Sequence, residues 1–165
     1  MYFAASKRNA DHLAQYESQN PVMNLKDEQH AEQVVRELAA AWTEGQSYFF
    51  ALLEKASGEW AGQIYVARTD SELPEFTIGY VADVNYEGKG YLSEAVTAVL
   101  RVLFQEVGAH RVASDCNENN SRSWRLLERC GFTREGHLRE NRKGADGALH
   151  GDYLYGLLRR EFQPG

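Results

Sequence analysis

The stretch Thr77-Ile78-Gly79-Tyr80-Val81-Ala82-Asp83-Val84-Asn85-Tyr86-Glu87-Gly88-Lys89-Gly90-Tyr91-Leu92-Ser93-Glu94 decides how this chain folds. Phe76, Ile78 and Tyr80 alternate with other residues as a strand does. Gly88 and Gly90 then let the chain turn back without side-chain clash. From Ser93 to Val107 the apolar residues Val96, Val99, Leu100, Leu103 and Val107 recur at helical spacing. A strand, a glycine loop and a helix in that order make a ready phosphate site. Free backbone N–H groups and the positive end of the helix dipole converge there. A glycine loop alone is also what any tight turn needs, so its reading depends on a second element.

Asn119-Asn120-Ser121-Arg122-Ser123 is that element, followed by a predicted helix from Ser121 to Arg129 and then Gly131-Phe132. Asn and Ser ahead of a helix are ordinary N-caps, and the two readings stand side by side. Around these pieces the chain carries IGY at Ile78 to Tyr80, GKGY at Gly88 to Tyr91 with Glu94-Ala95 behind it, and HRV at His110 to Val112. N-x-x-S at Asn120 to Ser123, GF at Gly131, EG at Glu135 and LYGLL at Leu154 to Leu158 follow. In this order and spacing the chain resembles the GNAT (Gcn5-related) acyltransferases, and within them the RimJ/RimL group. The resemblance is densest from Thr77 to Phe162.

Before that stretch, Ala10 to Glu17 and Asp27 to Thr43 read as helices separated at Asn20-Pro21. Val34, Val35, Leu38 and Trp42 share one face of the second, and Gly45 ends it. Tyr48 to Leu53 and Gln63 to Val66 read as strands joined by Ser57-Gly58-Glu59, and Ser71 to Glu75 as a loop. His110 to Cys116 is a strand. Phe132 to Arg142 and Ala148 to Leu158 form a hairpin turning at Asp146-Gly147. This order implies a mixed α/β sheet. The resemblance sharpens it to one domain over residues 1–165, a central mixed sheet flanked by helices and splayed where acetyl-CoA enters. Family members usually begin with a strand ahead of their first helix. Here that strand is missing, or Tyr2 to Ala5 stands in for it.

The resemblance implies acetyl transfer from acetyl-CoA, as cosubstrate, to a primary amine by direct attack. The acceptor is a ribosomal-type protein N-terminus or a small amine. Main-chain N–H groups of Gly88, Lys89, Gly90, Tyr91 and Leu92 would hold the pyrophosphate. The family pattern is Q/R-x-x-G-x-G/A, and this chain departs from it at Glu87 and Leu92. A carboxylate beside a pyrophosphate is unfavourable, so Glu87 must point away or bind a cation. Val81 lies on the strand whose N–H groups, from Val81 to Val84, would meet the oxyanion. Asn120 would contact the cofactor. Many GNAT enzymes carry a proton-donating tyrosine where this chain has Leu127, and in the RimJ/RimL group a serine matching Ser123 is the substitute. Glu140 is the leading candidate for general base, with a surface salt bridge as its alternative reading. Asp152, Asp83 and His150 stand behind it. Leu127, Glu87 and the open question of the base favour a rival reading, a non-catalytic acyl-CoA-binding module. A homodimer is expected on family grounds.

Composition fits these expectations. A chain of 165 residues, 43% hydrophobic and 25% charged, can bury one globular core. No apolar run is long enough to span a membrane. The N-terminus lacks a signal-peptide pattern, and the cytoplasm is the expected compartment. Cys116 and Cys130 form no C-x-x-C pair and are expected reduced. The histidines have no metal-ligand spacing, so no metal is expected. A net charge of −6 argues against nucleic acid. It also means that local donors must overcome the repulsion of an anionic cofactor.

Overall fold

In the computed structural model, residues 1–16, 25–70, 72–144 and 147–163 are described. Helices α1 (Tyr2–Ala14) and α2 (Glu28–Thr43) precede strands β1 (Ser47–Leu53), β2 (Trp60–Asp70) and β3 (Glu75–Ala82). Helix α3 (Tyr91–Arg101), β4 (Arg111–Asn117), α4 (Ser121–Arg129), β5 (Thr133–Lys143) and β6 (Leu149–Leu158) follow. Glu17, the break at Asn20-Pro21, Ser71 and Asp146 lie outside the described residues. The strands form one mixed sheet in the order β1-β2-β3-β4-β6-β5, in which only β3 and β4 are parallel neighbours.

The sheet opens between β3 and β4. Their parallel ladder pairs Glu75, Phe76 and Thr77 with Arg111, Val112 and Ala113 and then stops. Both strands continue past it, to Ala82 and Asn117. Ser114 holds the fork: its buried hydroxyl donates to the Ile78 carbonyl at 2.9 Å where the next ladder bond would fall. The other ladders of β3 and β4 run along their far sides, to β2 and β6. The gap is therefore lined by backbone groups that a ligand can satisfy.

One face of the sheet packs on α3 and α4. Ile64, Ile78, Val96, Leu100, Phe104, Val112, Leu127, Tyr155 and Leu157 are all essentially buried there. Burying a large apolar side chain contributes about 1.5–3 kcal/mol, so this layer anchors the molecule. A smaller cluster on the other face, Ala5, Leu13, Trp60 and Val81, seats α1.

Two sequence expectations need correction. Tyr2 to Ala5 is not a strand; it opens α1, where Ala5 is buried against Val81. Val107 is not a core residue. After Arg101 the helix widens into π turns over Val102–Val107. Extra residues per turn rotate the apolar stripe, so Phe104 enters the core while Val107 stays 53% exposed.

Candidate active site

The glycine loop forms as its residues demand. Gly88 and Gly90 take φ of +72° and +86°, a left-handed conformation open to glycine. Gly90 caps α3, and the first-turn N–H groups of that helix have no acceptor within it. Just upstream, the chain is fixed by a buried carboxylate. Asp83 accepts from Arg8 Nε at 2.9 Å, Asn9 Nδ2 at 2.9 Å and the Asn85 amide at 2.9 Å, while Asn9 Oδ1 accepts from the Val84 amide. Burial pushes the Asp83 pKa up, but these hydrogen bonds and the Arg8 charge outweigh it and hold the carboxyl below its ordinary range. Asp83 is thus a clamp between α1 and the loop.

Across the open fork lies α4. Asn120 caps it, its side chain accepting from the Ser123 amide at 3.1 Å. Between loop and helix runs a cleft of about 450 Å³. The structure brings Val81, Gly88, Gly90, Leu92, Asn120 and Ser123 to its walls. The side chains of Lys89 and Tyr91 turn elsewhere: both rest on the ring of Tyr86, the Lys89 ammonium 4.7 Å from its centroid.

Strand geometry refines what β3 offers the cleft. The Asp83 amide donates to Ala61 on β2, and a Cβ on Gly62 would meet the Val81 carbonyl at 2.5 Å. Backbone direction alternates along a strand. Odd-numbered residues here therefore face β2, whereas Ile78, Tyr80 and Ala82 present theirs to the fork. Val81 lines the cleft, but the backbone groups that face the fork belong to its neighbours.

Glu87 is held between two partners. Its carboxylate meets His12 Nε2 at 2.7 Å and Arg122 Nη1 at 2.5 Å. It thereby ties α1 to α4 across the cleft. Arg122 also belongs to a feature that sequence reasoning missed. Arg122, Arg125 and Arg129 recur at helical spacing along α4, and all three line the cleft opposite the glycine loop. Arg129 reaches Ser93 at 3.4 Å. The signal was present as an i, i+3, i+7 pattern, but on an amphipathic helix it also reads as a solvated face. This ladder concentrates positive charge at the cleft of an otherwise acidic chain.

Ser123 sits between two protic side chains. The Tyr80 hydroxyl is 3.0 Å from Ser123 Oγ and 3.1 Å from its carbonyl oxygen. The Cys116 thiol lies beside Ser123 as well; burial pushes that thiol up to about 12, so it stays protonated. Leu127 is fully buried and belongs to the core.

Beyond the C-terminal end of β4 the polar residues are already paired. Asp152, 1% exposed, takes Arg142 Nε at 2.8 and 2.7 Å and Asn141 at 2.5 Å, and Arg142 also reaches Asp115. Glu118 accepts from the Gly151 amide and meets His137 at 2.7 Å. The Gly151 amide first, then His137, holds Glu118 below the ordinary carboxylate range. His150 hydrogen-bonds to Asn119. Glu140 stands apart: it is exposed on a bulge of β5, at φ +53°, and does not line the cleft. Among the described residues, no group of His, Cys, Asp or Glu is arranged to hold a metal ion, and no helix is long and apolar enough to cross a membrane.

The acetyltransferase (GNAT) domain profile matches residues 4–133 of this chain. N-acetyltransferase p20 of Bacillus licheniformis is 32% identical over 160 residues, covering 93% of this chain and 89% of that protein. The solved ribosomal-protein-S5-alanine acetyltransferase from Vibrio fischeri aligns with a TM-score of 0.86 at 21% identity, over 99% of this chain and 88% of that one. RimL, the ribosomal L7/L12 α-N-protein acetyltransferase solved with coenzyme A, aligns with a TM-score of 0.85 at 18% identity, over 94% and 85%. These two structures show likeness of fold; the domain match and p20 show the family, and it is a family of enzymes. The chain belongs to the GNAT acetyl-CoA-dependent N-acetyltransferases, whose relatives include the RimJ/RimL ribosomal-protein enzymes.

Proposed function

We propose that the cleft binds acetyl-CoA with its pyrophosphate on the glycine loop and its thioester at the fork, and that a neutral primary amine attacks the thioester directly. The observation that carries this reading is the early end of the β3–β4 ladder, with the loop amides at one end of the gap and Ser123 beside it. Amides of Gly88 to Leu92 and the arginine ladder of α4 receive the phosphates. Backbone groups of Tyr80 and Ala82 receive the pantetheine arm, and the Ala82 N–H stabilises the oxyanion. Asn120 keeps its amide group for the cofactor. Ser123 protonates the departing sulfur, a thiolate with an ordinary pKa near 8.5. The RimL complex carries a disulfide between coenzyme A and one of that protein's own cysteines, and the placing of Cys116 against Ser123 supports a sulfur position there.

The acceptor approaches from the side of the β5–β6 hairpin. The chain's net charge of −6 favours a cationic amine. A ribosomal-type N-terminus is the acceptor that the uS5-alanine and L7/L12 acetyltransferases act on, and a small amine is the other class. Glu140, out on the β5 bulge, would serve as base only through water, and an amine entering neutral needs none.

Calorimetric titration with acetyl-CoA tests the first half. One saturable site of micromolar strength, about −8 kcal/mol, is expected. Thiol release is then followed with an alanine-initiated peptide and with spermidine as alternative acceptors. Absence of binding overturns the proposal; binding without acceleration by any primary amine overturns its catalytic half.

A further inference from the structure

We infer that Tyr80 is the proton source behind Ser123, so that the acid of this enzyme is a two-hydroxyl relay rather than a lone serine. The inference rests on the acetyl-CoA reading above and adds a residue to it.

Tyr80 stands on β3 and its ring packs on the core beneath α3 and α4. From there it spans the fork and places its hydroxyl 3.0 Å from Ser123 Oγ and 3.1 Å from the Ser123 carbonyl. Both residues line the cleft. The phenol has one proton and two acceptors on Ser123 within reach. When it faces the carbonyl, Ser123 Oγ–H can point to Tyr80. When it faces Ser123 Oγ, the serine proton is freed toward the cleft. The pair is a two-position switch in which one arrangement aims a proton at an incoming sulfur.

Acidity then decides which group can supply the proton. A serine that gave up its own proton would leave an alkoxide, a far stronger base than a thiolate. A phenol ordinarily titrates near 10 and a thiol near 8.5, so transfer from phenol to thiolate is close to balanced. Cys116, the other group beside Ser123, is held as a neutral thiol by burial. Leu127 offers no proton. Tyr80, with its hydroxyl 3.0 Å from Ser123 Oγ, is therefore the group placed to hand Ser123 a proton.

The step balances without any further reactant. The carbon–sulfur bond breaks and its electron pair stays on sulfur. The Ser123 proton passes to sulfur as the Tyr80 proton passes to Ser123 Oγ. The attacking nitrogen gives one proton to water as the amide forms, and the phenolate takes one back from water through the open cleft. The net result moves one proton from amine to thiol. Tyr80 acts through Ser123 and is a positioning residue for it.

The experiment uses coenzyme A itself, so it needs no acceptor. The full chain is saturated with coenzyme A and titrated with base, and the thiolate is followed by its ultraviolet band against the complex with desulfo-coenzyme A. At the midpoint of the unmodified complex, Tyr80→Phe is expected to lower the thiolate-to-thiol ratio about threefold to tenfold, with the coenzyme A Kd within twofold. Ser123→Ala should lower it equally, and the double variant no further. A Tyr80→Phe ratio equal to the parent's, beside a lowered ratio in Ser123→Ala, would overturn the relay. Additive losses in the double variant would do the same. If the parent chain takes up no coenzyme A, the cosubstrate reading itself falls, a result distinct from binding with an unmoved thiol.

Discussion

The cleft proposed to hold the cofactor and the polar surface beyond β4, proposed to meet the acceptor, are built by different means. The cofactor wall consists of two short contiguous segments, residues 87–93 and 120–129, whose chemistry lies in backbone amides, one cap and a row of arginines. The acceptor wall, from Asp115 to the β5–β6 hairpin, consists of side chains paired across strands: Asp152 with Arg142, Glu118 with His137, His150 with Asn119. The first wall leaves donors open for a ligand, whereas the second has closed most of its charges on one another. A cofactor shared across a family can be met by local backbone. An acceptor that varies between members is met by side-chain networks that differ from chain to chain.

The sharpest break of this comparison is Arg142→Met. It leaves the Asp152 carboxylate buried without its cation, while Asn141 stays. Loss of one partner of a buried pair costs about 3 kcal/mol or more. Thermal unfolding should shift down by roughly 6–12 °C on that scale, with acetyl-CoA affinity in the folded protein unchanged. Arg142→Met with Asp152→Leu should recover part of the loss, since neither charge is then orphaned. A melting point unmoved by Arg142→Met would mean that the acceptor wall is not held by this pair.

On the cofactor wall the largest effect belongs to Ser123→Ala. Turnover should fall about 10²-fold, the scale of lost acid catalysis, with the calorimetric Kd for acetyl-CoA unchanged. Equal rates in variant and parent would remove Ser123 from the chemistry and leave the wall a binding surface. Asp83→Asn probes the hinge between loop and α1. Because the Asp83 pKa is depressed in the folded state, its contribution is complete above the ordinary carboxylate range and is lost as pH falls through the folded value. The stability gap to the variant, about 2 kcal/mol near neutrality, should close below about pH 4. Urea melts across pH measure it, and a gap constant down to about pH 3 would show that hydrogen bonding, and not charge, holds the clamp.

How much of this was legible in sequence follows the same division. The β3 strand, its glycine loop and the capped α4 were readable because each signal lies within a few residues: alternation, paired glycines, Asn120 ahead of Ser123. The mixed sheet followed from their order. Val107 was misplaced because a π widening leaves no mark in hydrophobic period, and Tyr2 to Ala5 because a short apolar run suits strand and helix alike. The Asp83 clamp was hidden because Arg8 and Asn9 lie about 75 residues away in sequence. The Asp152 network depends on the register shift between Leu138 and Arg142, which lets Asn141 and Arg142 reach one carboxylate. No local pattern encodes that shift. The same shift puts Glu140 on the bulge and not at the cleft. Tyr80 was visible as a strand residue, but its reach to Ser123 exists only because β3 and β4 part company.

The arginine ladder offers the finest test of the comparison, because it is the one place where the cofactor wall relies on side-chain charge. Among the described residues neither Arg125 nor Arg129 has a carboxylate ion-pair partner, and Arg129 hydrogen-bonds the Ser93 hydroxyl. Neither therefore needs to be released from an ion pair to meet a phosphate, in contrast to Arg122 on Glu87. Arg125→Gln with Arg129→Gln should weaken acetyl-CoA binding about tenfold at low salt. Exposed charges are screened within about 10 Å at 0.1 M salt, so the difference should shrink steadily as salt is added, while the loop amides continue to bind. The location of Arg129 beside the first turn of α3 favours the pyrophosphate as the proposed target of the ladder, so 3′-dephospho-coenzyme A should suffer the same loss. A loss confined to the fully phosphorylated cofactor would instead place the ladder under the ribose phosphate. It would leave the glycine loop as the whole of the pyrophosphate site.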